Sequence, residues 1–406
     1  MNTKKIRNSK QNVAQQGLHM TNNIIPFGVM VGSERKLYDE KSAAHMRMLD
    51  YASAFQELDI IIFTTQKHNL SKDVIHVSPN IRLHATNSLH KFLYDFDAKL
   101  VGRRIFSKRS IEQNNNTIVT VQDPFEAGLV GLSFKKKFKT KLHVQIHGDF
   151  LNPNFLVENK LNSIRRKIAE KVIPRANCIR VVSKRIATSI GKHFNLSFEP
   201  FILPIYTDVE KIYAHKSSFN LHDKYPQFDF IALMLSRLEA VKGVETAIKS
   251  FELVMGSKPN AGLIIVGDGE KRKELEELVK KLNLSDKVIF EGWQDDVLSY
   301  LKTADIFLNT SIYEGYCLSL VEAAASKCPI ITTPVGVVGE SLNESNIYIC
   351  PVGDEKCFAR KILSGALNKD ILLSLSNKAY GAIRGKALSK EEFLEKYSNS
   401  FKWCYE

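Results

Sequence analysis

Residues 309–328 read NTSIYEGYCLSLVEAAASKC and contain two glutamates, Glu314 and Glu322, that are eight positions apart. The apolar run before Asn309 predicts a strand that ends there, and the apolar periodicity that follows predicts a helix beginning near Leu318. Glu314 then lies on the loop and Glu322 lies inside the helix, so both carboxylates can face one cleft. The helix N-terminus offers unpaired N–H groups and a positive dipole end to a phosphate. On spacing alone, a buried helix carboxylate tied to the backbone is an equally good interpretation of Glu322.

Short apolar strands alternate with amphipathic helices along the whole chain, which is the pattern of a parallel α/β sheet. The strand candidates are residues 24–31, 59–65, 116–122, 141–148, 178–183, 229–236, 261–269, 287–293, 304–311 and 329–336. The helix candidates are residues 41–58, 125–134, 161–172, 244–255, 270–282, 297–303, 318–327, 356–367 and 390–405. The predicted fold class is α/β, with two Rossmann-like doubly wound domains facing each other across a cleft. Ligands of such sheets bind at the carboxyl ends of the strands, so we expect the chemistry in that cleft.

A length of 406 residues suits two domains of similar size. The boundary is expected near residue 206, in a proline-containing linker. The predicted segments are a basic disordered tail at residues 1–20, an N-terminal domain at 21–205, a C-terminal domain at 206–385, and a final helix at 386–406 that packs back toward the N-terminal domain.

Charge is distributed unevenly between the two halves. Residues 1–200 contain 32 Lys/Arg and 16 Asp/Glu, whereas residues 201–406 contain 25 and 28, so the formal charges are +16 and −3. This asymmetry indicates a polyanionic partner of the first half, either nucleic acid or an anionic membrane surface, or else a solvated basic face. The basic clusters are residues 103–104, 108–109, 135–141 and 165–167. Nucleic acid is the weakest of these readings, because the sequence contains no zinc-finger spacing, RNP-type aromatic strand or helix-turn-helix signal.

Composition and cysteine spacing limit the kinds of protein that this sequence can encode. A hydrophobic content of 44% with 25% charged residues excludes a wholly disordered chain. The six cysteines contain no C-x-x-C pair, so we expect reduced, mostly buried thiols of a cytosolic protein. No signal-peptide core follows the basic start, and no apolar run reaches the roughly 18–20 residues of a membrane span. The acidic residues at 95–97 and 295–296 are interpreted as solvated or helix-capping carboxylates, so no metal site is predicted.

Two further loops in the second half follow predicted strands. Arg237 and Lys242 lie in one of them, where two cations and a helix N-terminus could neutralise a diphosphate leaving group. The alternative is a pair of ordinary surface cations. Gly267 and Gly269 form the other loop, an incomplete dinucleotide-binding turn that would let a nucleotide approach the backbone.

Together these stretches resemble the donor domain of glycosyltransferase family 4, retaining GT-B enzymes of the bacterial cell-envelope type that use nucleotide-diphosphate sugars. The resemblance covers residues 195–355 and is carried by SRLEAVKG, VGDG, EGW and EGYCLSLVEAAASKCPIITTPVG. It implies that Arg237 and Lys242 bind the donor diphosphate. It also implies that Glu322 hydrogen-bonds the ribose and that Glu314 contacts the donor sugar. The other donor-binding residues that it implies are Gly267, Gly269, Trp293, Gly315, Tyr316, Cys317 and Leu318.

The first half is similar to the acceptor domain of bacterial members of that family, with less specific motifs. The resemblance implies that His147, at the end of a predicted strand, lines the active site; a satisfied structural histidine is the alternative. The acceptor-side residues predicted in this half are Gly32, Ser33, Asp123 and Asp149. The family's double-glycine loop after the first strand is represented here only by Gly32-Ser33.

The predicted protein is a metal-independent, hexosyltransferase-type glycosyltransferase with His147, Arg237, Lys242 and Glu314 as catalytic residues. It would move a sugar with retention from a UDP- or GDP-sugar, without a cofactor, to a glycan or lipid-linked acceptor in cell-envelope polysaccharide or lipopolysaccharide synthesis. The expected location is cytoplasmic and peripheral on the anionic inner face of the plasma membrane, with no nucleic-acid partner. Three alternatives remain open: a sugar-nucleotide epimerase of the same fold, a starch- or glycogen-synthase-type enzyme, and a non-catalytic basic membrane-binding protein.

Overall fold

The structure, a computed structural model, describes residues 24–70 and 73–405. The predicted tail at residues 1–20 lies outside the described residues. The strands of the described chain form two sheets, one from each half of the sequence.

The first sheet has eight strands in the order β3-β4-β2-β1-β5-β6-β7-β8. All neighbours are parallel except β3 and β4, which pair antiparallel at the edge. The strands are β1 (Ile25–Gly32), β2 (Phe55–Ile62), β3 (Ile75–Ser78), β4 (Ile81–Ala85), β5 (Thr117–Val121), β6 (Lys141–Ile146), β7 (Cys178–Val181) and β8 (Phe201–Ile202). The helices of this half are α1 (Ala43–Tyr51), α2 (Tyr94–Ser107), α3 (Ile111–Asn115), α4 (Glu126–Phe138), α5 (Pro153–Glu158), α6 (Asn162–Val172) and α7 (Lys184–His193).

The second sheet has six parallel strands in the order β11-β10-β9-β12-β13-β14, so the strand order reverses between β9 and β12. The strands are β9 (Phe230–Leu235), β10 (Ala261–Val266), β11 (Val288–Gly292), β12 (Ile306–Asn309), β13 (Ile330–Thr332) and β14 (Tyr348–Ile349). The helices are α8 (Val209–Ala214), α9 (Leu221–Lys224), α10 (Val244–Met255), α11 (Arg272–Lys281), α12 (Val297–Thr303), α13 (Leu318–Ala325), α14 (Glu355–Leu367), α15 (Lys369–Arg384) and α16 (Lys390–Lys402). A reversal of strand order is where doubly wound sheets bind ligands.

The predicted strands are present, with a few differences in the elements between them. The helix expected at residues 41–58 ends at Tyr51, because Phe55–Ile62 pairs with β1 as a strand. The linker contains β8, α8 and α9, and the sequence-based interpretation missed β3, β4, α3, α5, α7 and α15.

The final helix, α16, packs on the first sheet and not on the second. Ser389 and Glu392 form a capping box at its start, which satisfies backbone N–H groups that have no partner inside the helix. Phe393, Tyr397 and Phe401 follow at intervals of four residues, so they form one apolar stripe. All three are buried in the core that β1 and β2 build. The chain therefore passes between the two halves twice.

The expectation of reduced cysteines is wrong for four of the six. Cys178 on β7 and Cys404 beyond α16 form one disulfide, and Cys350 and Cys357 form another. The first pair, 226 positions apart in sequence, meets because α16 lies against the first sheet. Cys317 and Cys328 are buried free thiols. Disulfides are rare in cytosolic proteins, so this pairing weighs against the cytosolic expectation. Among the helices described, none is long and apolar enough to cross a bilayer.

Candidate functional site

Three loops pack tightly at the carboxyl ends of the strands of the second sheet. Gly243 has a φ of 60° and its Cα faces the carbonyl of Thr310. Gly267, with a φ of 131°, lies against the carbonyl of Ser236. A side chain at either glycine would collide with that backbone, and the positive φ strongly favours glycine. The loops after β9, β10 and β12 are thereby held together as one surface.

Lys242 and Glu314 form an ion pair at the centre of this surface. The Lys242 Nζ lies 2.6 Å from the Glu314 Oε1, and the two side chains are 15% and 16% exposed. The Ser311 hydroxyl donates to the same carboxylate oxygen over 2.9 Å. Two residues that the sequence assigns to different parts of a donor are thus brought into direct contact.

Arg237 lies in the same loop as Lys242 but in a different environment. Its side chain is 63% exposed, and its Nη1 donates to the Glu239 Oε1 over 2.6 Å. An exposed ion pair of this kind contributes little to stability and exchanges readily with solvent. The guanidinium can therefore turn toward an anion in the cleft at small cost.

Glu322 lies in the second turn of α13, the helix that follows the loop bearing Glu314. Burial raises the pKa of its carboxyl group. Its carboxylate forms no hydrogen bond or ion pair in the described part of the chain, so its oxygens can accept hydrogen bonds from a ligand's hydroxyl groups. The alternative of a carboxylate tied to the backbone therefore finds no support in this conformation.

The residues that precede α13 connect the two halves. Tyr316 packs against the hydrophobic cores of both. Cys317 has a φ of 65° at the position before Leu318, where α13 begins. Burial raises the pKa of the Cys317 thiol to about 12, so the thiol is protonated near neutral pH and cannot act as a nucleophile.

Trp293 lies at the mouth of the cleft, and its indole is 66% exposed. The Nζ of Lys36, from the first half of the chain, lies 5.5 Å from the ring centroid. The free face of such a ring can stack on a flat aromatic group. Gly269, the other glycine of the loop after β10, packs on the backbone of Leu238.

The two halves touch where β6 ends. The Cα of Gly315 packs directly on the carbonyl of His147, so closely that any side chain at Gly315 would collide with it. Desolvation, followed by the positive charges of Arg180 and Arg47, lowers the pKa of His147. Residue 147 is exposed at the cleft, and its imidazole, neutral near pH 7, can donate one hydrogen bond and accept another.

A cavity of about 410 Å³ extends from His147 into the first half of the chain. Ser33 and Asp123 line it, with Leu318 on the opposite wall, so the cavity spans both halves. Gly32 ends β1 behind Ser33 and packs against Gln122. Of the predicted acceptor-side residues, Ser33 and Asp123 therefore line the cavity, whereas Gly32 lies beside it.

Asp149 does not line the cavity either. Its carboxylate accepts hydrogen bonds from the Leu151 amide at 3.2 Å and the Ser189 hydroxyl at 3.1 Å, which holds its own loop. Asp123 also caps backbone, accepting from the amide of Phe125 over 2.8 Å at the start of α4. Burial raises the pKa of Asp123 to about 6.

Sequence reasoning missed Arg180, which lines the same cavity and is 2% exposed. Its Nη1 donates to the Gln145 Oε1 over 2.8 Å, and its Nη2 donates to the carbonyls of Leu203 and Pro204, both over 3.1 Å. The ring of Tyr397, on α16, lies 5.4 Å from the guanidinium. None of these partners carries a negative charge. An arginine inside an apolar strand pattern was the available signal, but its partners are distant in sequence.

Solved structures share this arrangement of two sheets across a cleft. The crystal structure of HepE from Anabaena in complex with UDP and glucose superposes with a TM-score of 0.72 at 16% identity, covering 92% of this chain and 99% of that one. The chain has the GT-B fold. The predicted fold class is therefore confirmed.

Sequence comparisons concentrate on the second half of the GT-B chain. The family model described as "Glycosyl transferases group 1" matches residues 221–381. An uncharacterized glycosyltransferase from Methanocaldococcus jannaschii is 29% identical over 238 residues, which are 55% of this chain and 58% of that protein. Alpha-monoglucosyldiacylglycerol synthase from Acholeplasma laidlawii is 24% identical over 72% of this chain and 77% of its own. The chain spans about half the length of several curated relatives that it matches.

Proposed function

We propose that this GT-B protein is a glycosyltransferase that moves a hexose from a nucleotide-diphosphate sugar to a glycan or lipid-linked acceptor, with retention of configuration. One observation carries the proposal. The paired Lys242 and Glu314 lie beside the start of α13, and Glu322 lies one turn further with a carboxylate that has no partner in the described chain. The lysine and the helix N-terminus suit a diphosphate, Glu314 suits the donor sugar, and the unpartnered carboxylate of Glu322 suits the ribose hydroxyls.

The proposed chemistry follows the development of charge. Cleavage of the glycosyl–phosphate bond leaves negative charge on the diphosphate and positive charge on the anomeric carbon. Lys242, Arg237 and the N-terminus of α13 would stabilise the diphosphate. Glu314, ion-paired with Lys242, would contact the donor sugar, and Trp293 would stack on the base. These cations supply the charge that a metal provides elsewhere, so we propose metal-independent transfer.

Retention is proposed as a front-side displacement. The departing phosphate would take the proton of the acceptor hydroxyl, which enters on the same face. Neutral His147, in contact with Gly315 through its carbonyl, would lie beside the sugar and orient it. The Cys317 thiol, which is protonated near neutral pH, would not act as a nucleophile toward the sugar.

Nucleotide binding tests this proposal. We expect UDP or GDP, with ADP as the third nucleotide compared, to raise the melting temperature of the wild-type protein. Glu322→Gln is expected to lower the affinity for the stabilising nucleotide about tenfold, because an amide replaces the charged group that accepts hydrogen bonds from the ribose hydroxyls. Glu277→Gln, an exposed change on α11, is the control. No stabilisation of the wild type by any of the three nucleotides would contradict the proposed function.

We further propose peripheral attachment to an anionic membrane face, in support of cell-envelope polysaccharide synthesis; the two disulfides weigh against the cytoplasmic side that the sequence led us to expect. The basic excess of the first half supports it, and each Lys or Arg near such a surface contributes about 1 kcal/mol. Arg109 does not contribute to this surface, because it pairs with the buried Asp59 at 2.7 Å. Flotation with phosphatidylglycerol vesicles should recover the protein; equal recovery with neutral phosphatidylcholine vesicles would count against the proposal.

A further inference from the structure

A second cavity, of about 810 Å³, lies at the amino-terminal end of β6, whereas the cleft lies at the carboxyl end of that strand. It forms where α4 and α6 end and β6 begins. Strand β6 runs from Lys141, in this cavity, to Ile146, and His147 follows in the cleft. The length of this strand, about 20 Å, separates the two sites. A ligand in the second cavity therefore cannot reach the residues that bind the proposed donor.

Positive charge dominates this second cavity, which we call the basic cavity. Its seven cationic lining residues are Lys99, Lys135, Lys136, Lys139, Lys141, Lys171 and Arg175. None of the described residues that line it is acidic. The Lys99 Nζ pairs with the Asp95 Oδ2 at 2.5 Å, whereas the other six form no ion pair with any residue that the structure describes. The positive charges of the lysine and arginine side chains therefore lie close together around a concave surface.

Two lining residues, the buried Thr140 and the half-buried Lys135, show that the protein balances this charge only in part, although the Lys135 Nζ donates to the carbonyl of Arg175 over 2.8 Å. Thr140 is 2% exposed, and its hydroxyl has no hydrogen-bond partner among the described residues. Burial and the nearby charge of Lys141 lower the pKa of Lys135. An anion among these groups would relieve the repulsion and accept the hydrogen bond of the hydroxyl.

We propose that the basic cavity is a second anion site that binds phosphate groups. Several lysines act as point charges toward a multiply charged oxyanion, which suits phosphate better than a single carboxylate. Leu129 and Leu132 add a half-buried apolar wall. The headgroup of an anionic lipid and a soluble polyphosphate share this chemistry. The proposal is independent of the function proposed for the cleft, because none of its residues lies there.

Charge reversal at exposed positions tests the site. Lys136→Glu with Lys139→Glu reverses two exposed cations and removes no buried contact. We expect this variant to bind inositol hexakisphosphate, or phosphatidylglycerol vesicles, at least about tenfold more weakly than the wild type. The matched control is Lys280→Glu with Lys378→Glu, which makes the same change in net charge at two exposed positions on α11 and α15, outside the cavity and outside the basic first half.

The two probes distinguish the sources of the phosphate. If only the cavity variant loses binding of inositol hexakisphosphate, a soluble ligand is supported. If that variant loses binding of vesicles alone, a lipid headgroup is supported. Equal losses in both variants, or no binding of either probe to the wild type, would overturn the proposal. Thr140→Val keeps the shape of the side chain. It is expected to lower the affinity for the probe that binds about two- to tenfold, without loss of thermal stability. Unchanged affinity in that variant would show that the hydroxyl is not part of the site.

Discussion

Lys242→Ala should lower the rate of nucleotide release from the donor sugar by about 10²–10³-fold, which corresponds to about 3–4 kcal/mol. The ammonium group is largely buried and lies 2.6 Å from Glu314 beside the start of α13. Charge that develops on the diphosphate at this place is screened weakly by water, so one preorganised cation has a large effect on the transition state. The rate is measured with the sugar derivative of whichever nucleotide stabilises the wild-type protein.

A matched variant separates this effect from a general loss of positive charge. Lys280→Ala removes an exposed lysine from the last turn of α11 and should leave the rate unchanged. Arg237→Ala should have a smaller effect than Lys242→Ala, because Arg237 is exposed and must turn into the cleft. A Lys242→Ala protein that releases nucleotide at the wild-type rate would refute the assignment of this lysine.

Gly315→Ala is expected to lower the rate about 10²-fold. The new methyl group would occupy the space of the His147 carbonyl, so the loop bearing Glu314 must move away from the first half of the chain. A displacement of about 1 Å in a positioned group is enough for a loss of this size. Thermal unfolding without nucleotide should show a loss of about 1–3 kcal/mol, typical of overpacking. Rate and stability are therefore measured on the same preparation.

Gly148→Ala provides the control at the same interface. A methyl group at Gly148 meets no atom within 4 Å, so the variant should keep both the rate and the melting temperature. If Gly315→Ala retained the wild-type rate, the contact between Gly315 and His147 would have no part in positioning the loop.

The second half of the chain was the more predictable from sequence. Its strands read as apolar runs, Lys242 and Glu314 occupy loops that follow two of them, and Glu322 lies in the helix after the second loop, so local pattern was sufficient to place these three residues. Helices α10 and α12 begin and end where the periodicity predicts. Local pattern could not show that Lys242 and Glu314 form an ion pair, because the two residues are 72 positions apart.

The first half was less predictable because its site depends on distant segments. Arg180 is surrounded by Gln145, by the carbonyls after β8 and by Tyr397 on α16, and no local pattern joins these segments. The disulfide between Cys178 and Cys404 was missed for the same reason. Asp149 lies near a strand end, where a site residue is expected. Its carboxylate instead accepts a hydrogen bond within its own loop and holds that loop in place.

The return of α16 to the first sheet has a consequence for biosynthesis. The core around β1 and β2 includes Phe393, Tyr397 and Phe401, yet roughly 190 residues of chain separate β8 from this helix. At about 5–20 residues per second, a ribosome needs about 10–40 s to translate that interval. Throughout this time the nascent first half exposes the apolar groove that α16 later fills. Until α16 has been made, the exposed groove can associate with other apolar surfaces, so slower translation of the second half would lengthen the time during which the first half can aggregate.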